Sequence, residues 1–163
     1  MKRILNFLLI LFISVNVLNA QKPYVEYWQN GQKATEGTLS DKKIRIGEWR
    51  WFYENGSLQK IGEYNEKGLK VGEWKDYYAD GKIQKQEFLS GKGECKAFYD
   101  HGQIQYSYNV VDGLKQGEYN EYYKNGNKKI QASYKDNALD GYATWFFSDG
   151  KKDMEGNLKM GKR

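Results

Sequence analysis

Apolar and polar positions recur along this chain as a fixed block. The clearest copy is GEWRWFYENG at residues 47–56, and the same ten-residue frame returns at 22–31, 72–81, 93–102, 117–126 and 141–150. Block starts lie 25, 25, 21, 24 and 24 residues apart, so the block is constant and the variation falls behind it. The ninth position holds Asn30, Asn55, Asp80, His101, Asn125 and Asp149, and the tenth is always Gly. Asn-Gly and Asp-Gly tolerate the positive φ of a two-residue hairpin turn, so each block is expected to end in one. Beyond it, runs such as Ile104, Tyr106, Tyr108, Val110 and Ile130, Ala132, Tyr134 have a period of two and predict a returning strand with one apolar face. Glu66-Lys67-Gly68, Asp112-Gly113 and Asp136-Asn137 then turn the chain back towards the next block. The predicted fold is all-β: an elongated single antiparallel meander of about six stacked β-hairpin repeats, or twelve short strands. A lone hairpin is marginal in water, so the units must support one another edge to edge. A sheet of more than ~10 strands is expected to twist or curl.

Alternation puts positions three, five and seven of a block on one face and two, four and six on the other. Positions three and seven read Tyr24 and Trp28, Trp49 and Tyr53, Trp74 and Tyr78, Cys95 and Tyr99, Tyr119 and Tyr123, Ala143 and Phe147, which makes theirs the better packing face. Position six presents Tyr27, Phe52, Tyr77, Phe98, Tyr122 and Phe146 on the other side, beside Glu48, Glu73, Glu94 and Glu118 at position two. Rings in such a stripe pack on one another across strands. As a regular ladder they also form a candidate binding platform, with Trp51 and Trp145 at position five as further candidates. The repeated Glu residues are expected to form cross-strand charge pairs and a solvated edge, since they recur in unit after unit without converging on one site.

At the N-terminus, Lys2 and Arg3 precede an apolar stretch over residues 4–18, and Ala20 offers a small residue before a cut at Gln21. This is the pattern of a signal peptide over 1–20, leaving a repeat domain over 21–163 with units starting near 22, 47, 72, 93, 117 and 141. The expected location is therefore exported: periplasmic, cell-surface or secreted. The 26 basic and 21 acidic residues give +5, and losing Lys2 and Arg3 leaves +3. Lys and Glu are interleaved along the mature chain, which argues against a nucleic-acid partner and makes membrane-surface adhesion weak at best.

One His and one Cys exclude a His-rich metal site or a disulfide framework within the chain, so neither metal nor cofactor is expected. His101 stands in a turn slot, with no nucleophile placed beside it by the pattern. Cys95 fills an aromatic slot and is expected to be a buried thiol, the alternative being a link between two chains. There is no strand, Gly-rich loop and helix in succession to hold a nucleotide. No catalytic residue is assigned.

The blocks GEWRWFYENG, GEWKDYYADG and GEYNEYYKNG resemble MORN repeats, in particular the bacterial variant often labelled antitoxin-like. The resemblance covers nearly all of residues 22–163 and rests on six in-phase copies. It implies an antiparallel sheet of stacked hairpins and a role in scaffolding, protein binding or membrane-surface association, and it implies no reaction. Departures fall at Lys22, which replaces the opening Gly, at Cys95 and Ala143, which replace the ring at position three, and in the last unit, which stops at Arg163. Those units are expected to be weaker or to act as caps. The expected function is an exported, non-enzymatic scaffold that binds a protein at the cell envelope. One alternative is a cell-wall or polysaccharide-binding module, because the Gly-Trp and Tyr-Tyr pairs also resemble choline-binding and glucan-binding repeats. Another is an antitoxin-like or immunity-like neutraliser, which with a secretory leader requires an exported toxin.

Overall fold

Each block forms one strand and the turn that ends it, and the alternating segment behind it forms the returning strand. The structure, a computed structural model, describes residues 21–161, so the leader expected over 1–20 lies outside the described residues. The six hairpins are β1 (Lys22–Tyr27) with β2 (Lys33–Leu39), β3 (Arg45–Phe52) with β4 (Leu58–Tyr64), β5 (Lys70–Tyr77) with β6 (Ile83–Phe88), β7 (Lys92–Phe98) with β8 (Ile104–Val111), β9 (Leu114–Tyr122) with β10 (Lys128–Lys135), and β12 (Gly141–Phe146) with β13 (Lys152–Leu158). A two-residue strand, β11 (Ala138–Leu139), folds back on the end of β10 and makes thirteen strands where the block count predicts twelve. The strands form one antiparallel sheet in chain order, with β1 and β13 as its two edges. Among the described residues there is no helix.

The block turn is not the two-residue form that Asn-Gly suggests. In all six blocks the N–H of the tenth residue donates to the carbonyl of the seventh, as from Gly56 to Tyr53 at 2.9 Å, and the N–H of the seventh donates to the carbonyl after the glycine, as from Tyr53 to Ser57 at 2.9 Å. Only the glycine has a positive φ, between +82° at Gly31 and +91° at Gly102. This is a type I turn closed by a glycine bulge. Asn and Asp suit the ninth position because the side-chain oxygen accepts the N–H two residues on: Ser57 N–H donates to Asn55 Oδ1 at 3.0 Å, and Lys82 N–H to Asp80 Oδ1 at 3.1 Å. True two-residue turns occur in the returning loops, where Asp112-Gly113 and Asp136-Asn137 have positive φ at both central residues.

Where one unit meets the next, the block's opening glycine opens a bulge. Glu36 pairs with Arg50 and Thr38 with Ile46, so residues 47–49 occupy the place opposite Gly37 alone. The same step recurs at Gly62, flanked by the pairs Ile61 with Lys75 and Glu63 with Val71. Gly47, Gly72 and Gly117 take φ of +64°, +65° and +71° there, which a side chain would resist. The bulge lets the third-position ring lie flat on the preceding hairpin. A Cβ at Gly37 would stand 2.3 Å from the Trp49 ring, and one at Gly62 would stand 2.1 Å from that of Trp74. The core is accordingly built on one face of the sheet: Trp49, Trp74, Cys95 and Ala143 at position three are buried, with Tyr108 and Ala132 from returning strands.

Candidate binding surface

Two hydrogen-bond ladders tie each unit to its successor. The polar hydrogen of the ring at position seven donates to the carbonyl at position six of the next unit: Trp28 Nε1 to Phe52 O at 3.1 Å, then Tyr53 Oη to Tyr77 O at 2.7 Å, Tyr78 to Phe98 at 2.8 Å, Tyr99 to Tyr122 at 2.9 Å and Tyr123 to Phe146 at 2.9 Å. Side chains of the turn reach the carbonyl at position eight in the same way: Asn30 to Glu54 at 2.7 Å, Ser57 to Ala79 at 3.0 Å and Asn125 to Ser148 at 2.7 Å. The position-seven rings are thus engaged in coupling units, which leaves the ring at position five as the one open to other work.

On that face the rings run in two groups. In the first, Trp51 stands between buried indoles, 6.0 Å from Trp49 and 5.8 Å from Trp74, while Tyr64 meets Trp74 edge-on at 5.2 Å. In the second, Tyr108 and Tyr119 both pack against Tyr134, at 6.0 and 5.3 Å. Burial pushes the hydroxyls of Tyr106, Tyr108, Tyr119 and Tyr134 above the usual tyrosine range. A cation caps each group: Arg45 lies 4.6 Å from the Trp49 ring and 5.6 Å from that of Trp51, Lys70 lies 4.2 Å from Trp74, and Lys115 lies 4.4 Å from Tyr108 and 5.0 Å from Tyr134. All three cations stand two residues before a block glycine. Around Trp51 the surface sinks into an open groove of about 460 Å³ that Arg45, Gln59, Lys70 and Gln84 also line.

A family model described as MORN repeat variant matches residues 45–66, 70–89 and 115–136. The chain carries MORN repeats. No curated protein matches it. The three matches begin at Arg45, Lys70 and Lys115, the cations that cap the two ring groups, so the matched MORN units are the ones that carry a cation two residues before the block glycine. The units outside the matches are those with Lys22, Cys95 and Ala143 in the departing slots.

The six hairpins distribute the eight candidate residues over both faces. Tyr27 is 63% exposed on the edge strand. Phe52, Tyr77, Phe98, Tyr122 and Phe146 are half-buried, and Phe52, Tyr77 and Phe98 stand across from Leu58, Ile83 and Ile104 on the same face. Trp51 is half-buried in its groove, and Trp145 packs against the buried cluster of Ala132, Ala143 and Leu158. The eight residues do not converge on one site. The glutamates of the position-six face pair mainly along their own strand, a correction to the cross-strand expectation: Glu48 meets Arg50 at 2.6 Å, Glu73 meets Lys75 at 2.8 Å and Glu94 meets Lys96 at 2.6 Å. Side chains two apart on a strand point the same way, which makes this the shorter reach.

His101 serves the second ladder. Its Nε2 lies 3.0 Å from Lys124 O, the place that Asn125 fills at the next junction, while Nδ1 lies 3.1 Å from Asp100 and the ring stacks on Tyr99. Cys95 is 1% exposed and takes the Phe88 N–H at 3.2 Å, and burial pushes its thiol up, so a second chain cannot reach it in this fold. Arg45, Lys70 and Lys115 escape a reading confined to the ten-residue block. Their signal is the string basic-x-Gly-Glu-aromatic at 45–49, 70–74 and 115–119.

Proposed function

We propose that this MORN-repeat chain is an exported, non-enzymatic scaffold that binds an envelope protein by accepting an extended segment of it along β1. The observation that carries the reading is the contrast between the two sheet edges. On and just beyond β1, Val25, Tyr27 and Trp28 are 40%, 63% and 37% exposed, three large apolar side chains set among Lys22, Pro23 and Glu26. β13 carries Lys152, Asp153 and Glu155, the charges with which an edge discourages strand addition. Added strands gain affinity from main-chain hydrogen bonds and specificity from alternate side chains. Export rests on the leader pattern over 1–20.

The test places a photo-crosslinking side chain at Val25 and, as a control, at Asp153, in the full-length protein expressed in cells. A discrete envelope adduct from the first site and not the second is expected, and the purified partner should bind wild type and lose affinity for Val25→Lys/Tyr27→Lys. Equal labelling from both sites, or a mature N-terminus that retains residues 1–20 in the cytosol, counts against the proposal.

A further inference from the structure

We propose that the Trp51 groove is a binding site for a glycan that bears carboxylate groups. Its floor is preorganised, because Trp51 is held between the buried indoles of Trp49 and Trp74, at 6.0 and 5.8 Å, and lines the groove with the surface that Arg45, 5.6 Å from its ring, leaves open. Its charge is not cancelled. Lys60 is paired with Asp76 at 3.0 Å, whereas Arg45 and Lys70 have no carboxylate within ion-pair distance among the described residues and rest instead on ring faces, 4.6 Å from Trp49 and 4.2 Å from Trp74. On the opposite face Arg50, Lys75 and Lys96 each hold a glutamate. A ring face attracts a cation without neutralising it, so the groove keeps a positive field above an aromatic floor.

The ligand class follows from what the groove can and cannot offer. The main-chain groups of β3, β4 and β5 are committed to strand pairing, so a peptide laid on this face would find no backbone partners. What remains are the amides of Gln59 and Gln84 for hydroxyls, Arg45 and Lys70 for carboxylates, and a flat indole for the C–H face of a sugar ring. The volume of about 460 Å³ is in the range of small-ligand sites. This sharpens the glycan alternative and is independent of the β1 edge, whose crosslinking can fail without touching it.

The test measures binding of tetragalacturonate to the mature protein by calorimetry and by indole N–H shifts in NMR spectra, at low salt. Its uncharged methyl ester, tetraglutamate and anionic vesicles are the comparison ligands. Tetragalacturonate is expected to bind about tenfold or more tightly than the methyl ester, with Arg45→Gln and Lys70→Gln each weakening it about 3- to 10-fold. Trp51→Ala should abolish binding, and Arg50→Gln, on the other face, should leave it unchanged. Thermal melts check that each variant is folded, and the indole shifts on wild type report the site even if Trp51→Ala does not fold. No binding at millimolar ligand, equal binding of the methyl ester, tighter binding of tetraglutamate or vesicles, or insensitivity to both charge variants overturns the proposal.

Discussion

Adding one methyl group at Gly62 is expected to cost more stability than removing most surface side chains. A Cβ there would stand 2.1, 2.4 and 2.5 Å from three atoms of the Trp74 indole, where carbon atoms normally rest about 3.5–4.0 Å apart. The ring would have to retreat by about 1.4 Å or more. Trp74 is 5% exposed, donates its Nε1 hydrogen to Val71 O at 3.1 Å and meets Tyr64 at 5.2 Å, so the retreat breaks a packed constellation. Overpacking costs about 1–3 kcal/mol and loss of a buried Trp about 3–5 kcal/mol, which brackets Gly62→Ala near ~3 kcal/mol. For a domain of this size that corresponds to a fall in Tm of about 10 °C. Gly156 occupies the equivalent place in the last hairpin with nothing within 4 Å of the added Cβ, and Gly156→Ala should be neutral or slightly stabilising. The assay is denaturant unfolding of both variants, of Trp74→Ala, and of the double variant Gly62→Ala/Trp74→Ala. Once the indole is gone the methyl has nothing to strike, so the cycle should show coupling of about 2 kcal/mol or more. Equal effects at Gly62 and Gly156, or additive effects in the cycle, would refute the stacking argument.

Two further outcomes follow from the ladders and the buried tyrosines. Tyr53→Phe, Tyr78→Phe, Tyr99→Phe and Tyr123→Phe should each cost about 1 kcal/mol and add nearly independently, because the sites lie one unit apart, whereas Phe147→Tyr, with no following unit among the described residues, should gain nothing; unfolding midpoints of the singles and the quadruple variant check this. Tyr108 and Tyr119 have folded pKa values above the ordinary 10, so their stabilising contribution is intact below pH ~10 and is lost as the pH climbs from there towards the folded values, at about 1.4 kcal/mol per pH unit for each group. Tyr108→Phe should flatten that slope by one group's worth in denaturant titrations between pH 9 and ~11.5, and an unchanged slope would contradict the burial.

Six hairpins were readable because their signals are local: a glycine at position ten and alternating rings need no knowledge of the neighbouring strand. The turn type was not, since Asn-Gly suits both a two-residue turn and a type I turn with a glycine bulge. What selects the second is the pairing of position seven with the residue after the glycine, as in Tyr53 with Ser57, a property of the closed hairpin. The Trp-on-Gly contacts were hidden for a related reason. Gly37 and Gly62 lie in returning strands reading KATEGTL and LQKIGEY, whose register against the next block emerges only with the bulge. Among the candidate residues, alternation separated the faces. It could not tell that Trp51 stands in a groove while Trp145, at the same block position, packs against Ala132, Ala143 and Leu158.

The short spacing of 21 residues before the fourth block has a physical explanation in the same large-on-small rule. At the first two junctions the ring comes from the block and the glycine from the returning strand before it: Trp49 on Gly37, Trp74 on Gly62. At the third the roles are exchanged. Phe88, at the end of the returning strand β6, covers Gly93, whose Cβ would lie 2.4 Å from its ring, and Gly93 does not take the positive φ of Gly47, Gly72 and Gly117. With the space over the sheet already filled from the β6 side, position three must be small, which accounts for Cys95 in a slot that holds Trp or Tyr in units one, two, three and five without any redox role. At this seam β6 is in register with β7 at Lys85 with Ala97 and Gln86 with Lys96 only, as few pairs as join β10 to β12 at Ile130 with Trp145 and Gln131 with Thr144. It also falls between the indole group around Trp51 and the tyrosine group around Tyr134. The array is therefore two aromatic half-sheets meeting at β6 and β7, and in a structure where each unit is stabilised by its neighbours, that seam and the equally narrow one between β10 and β12 are where cooperativity along the sheet is weakest.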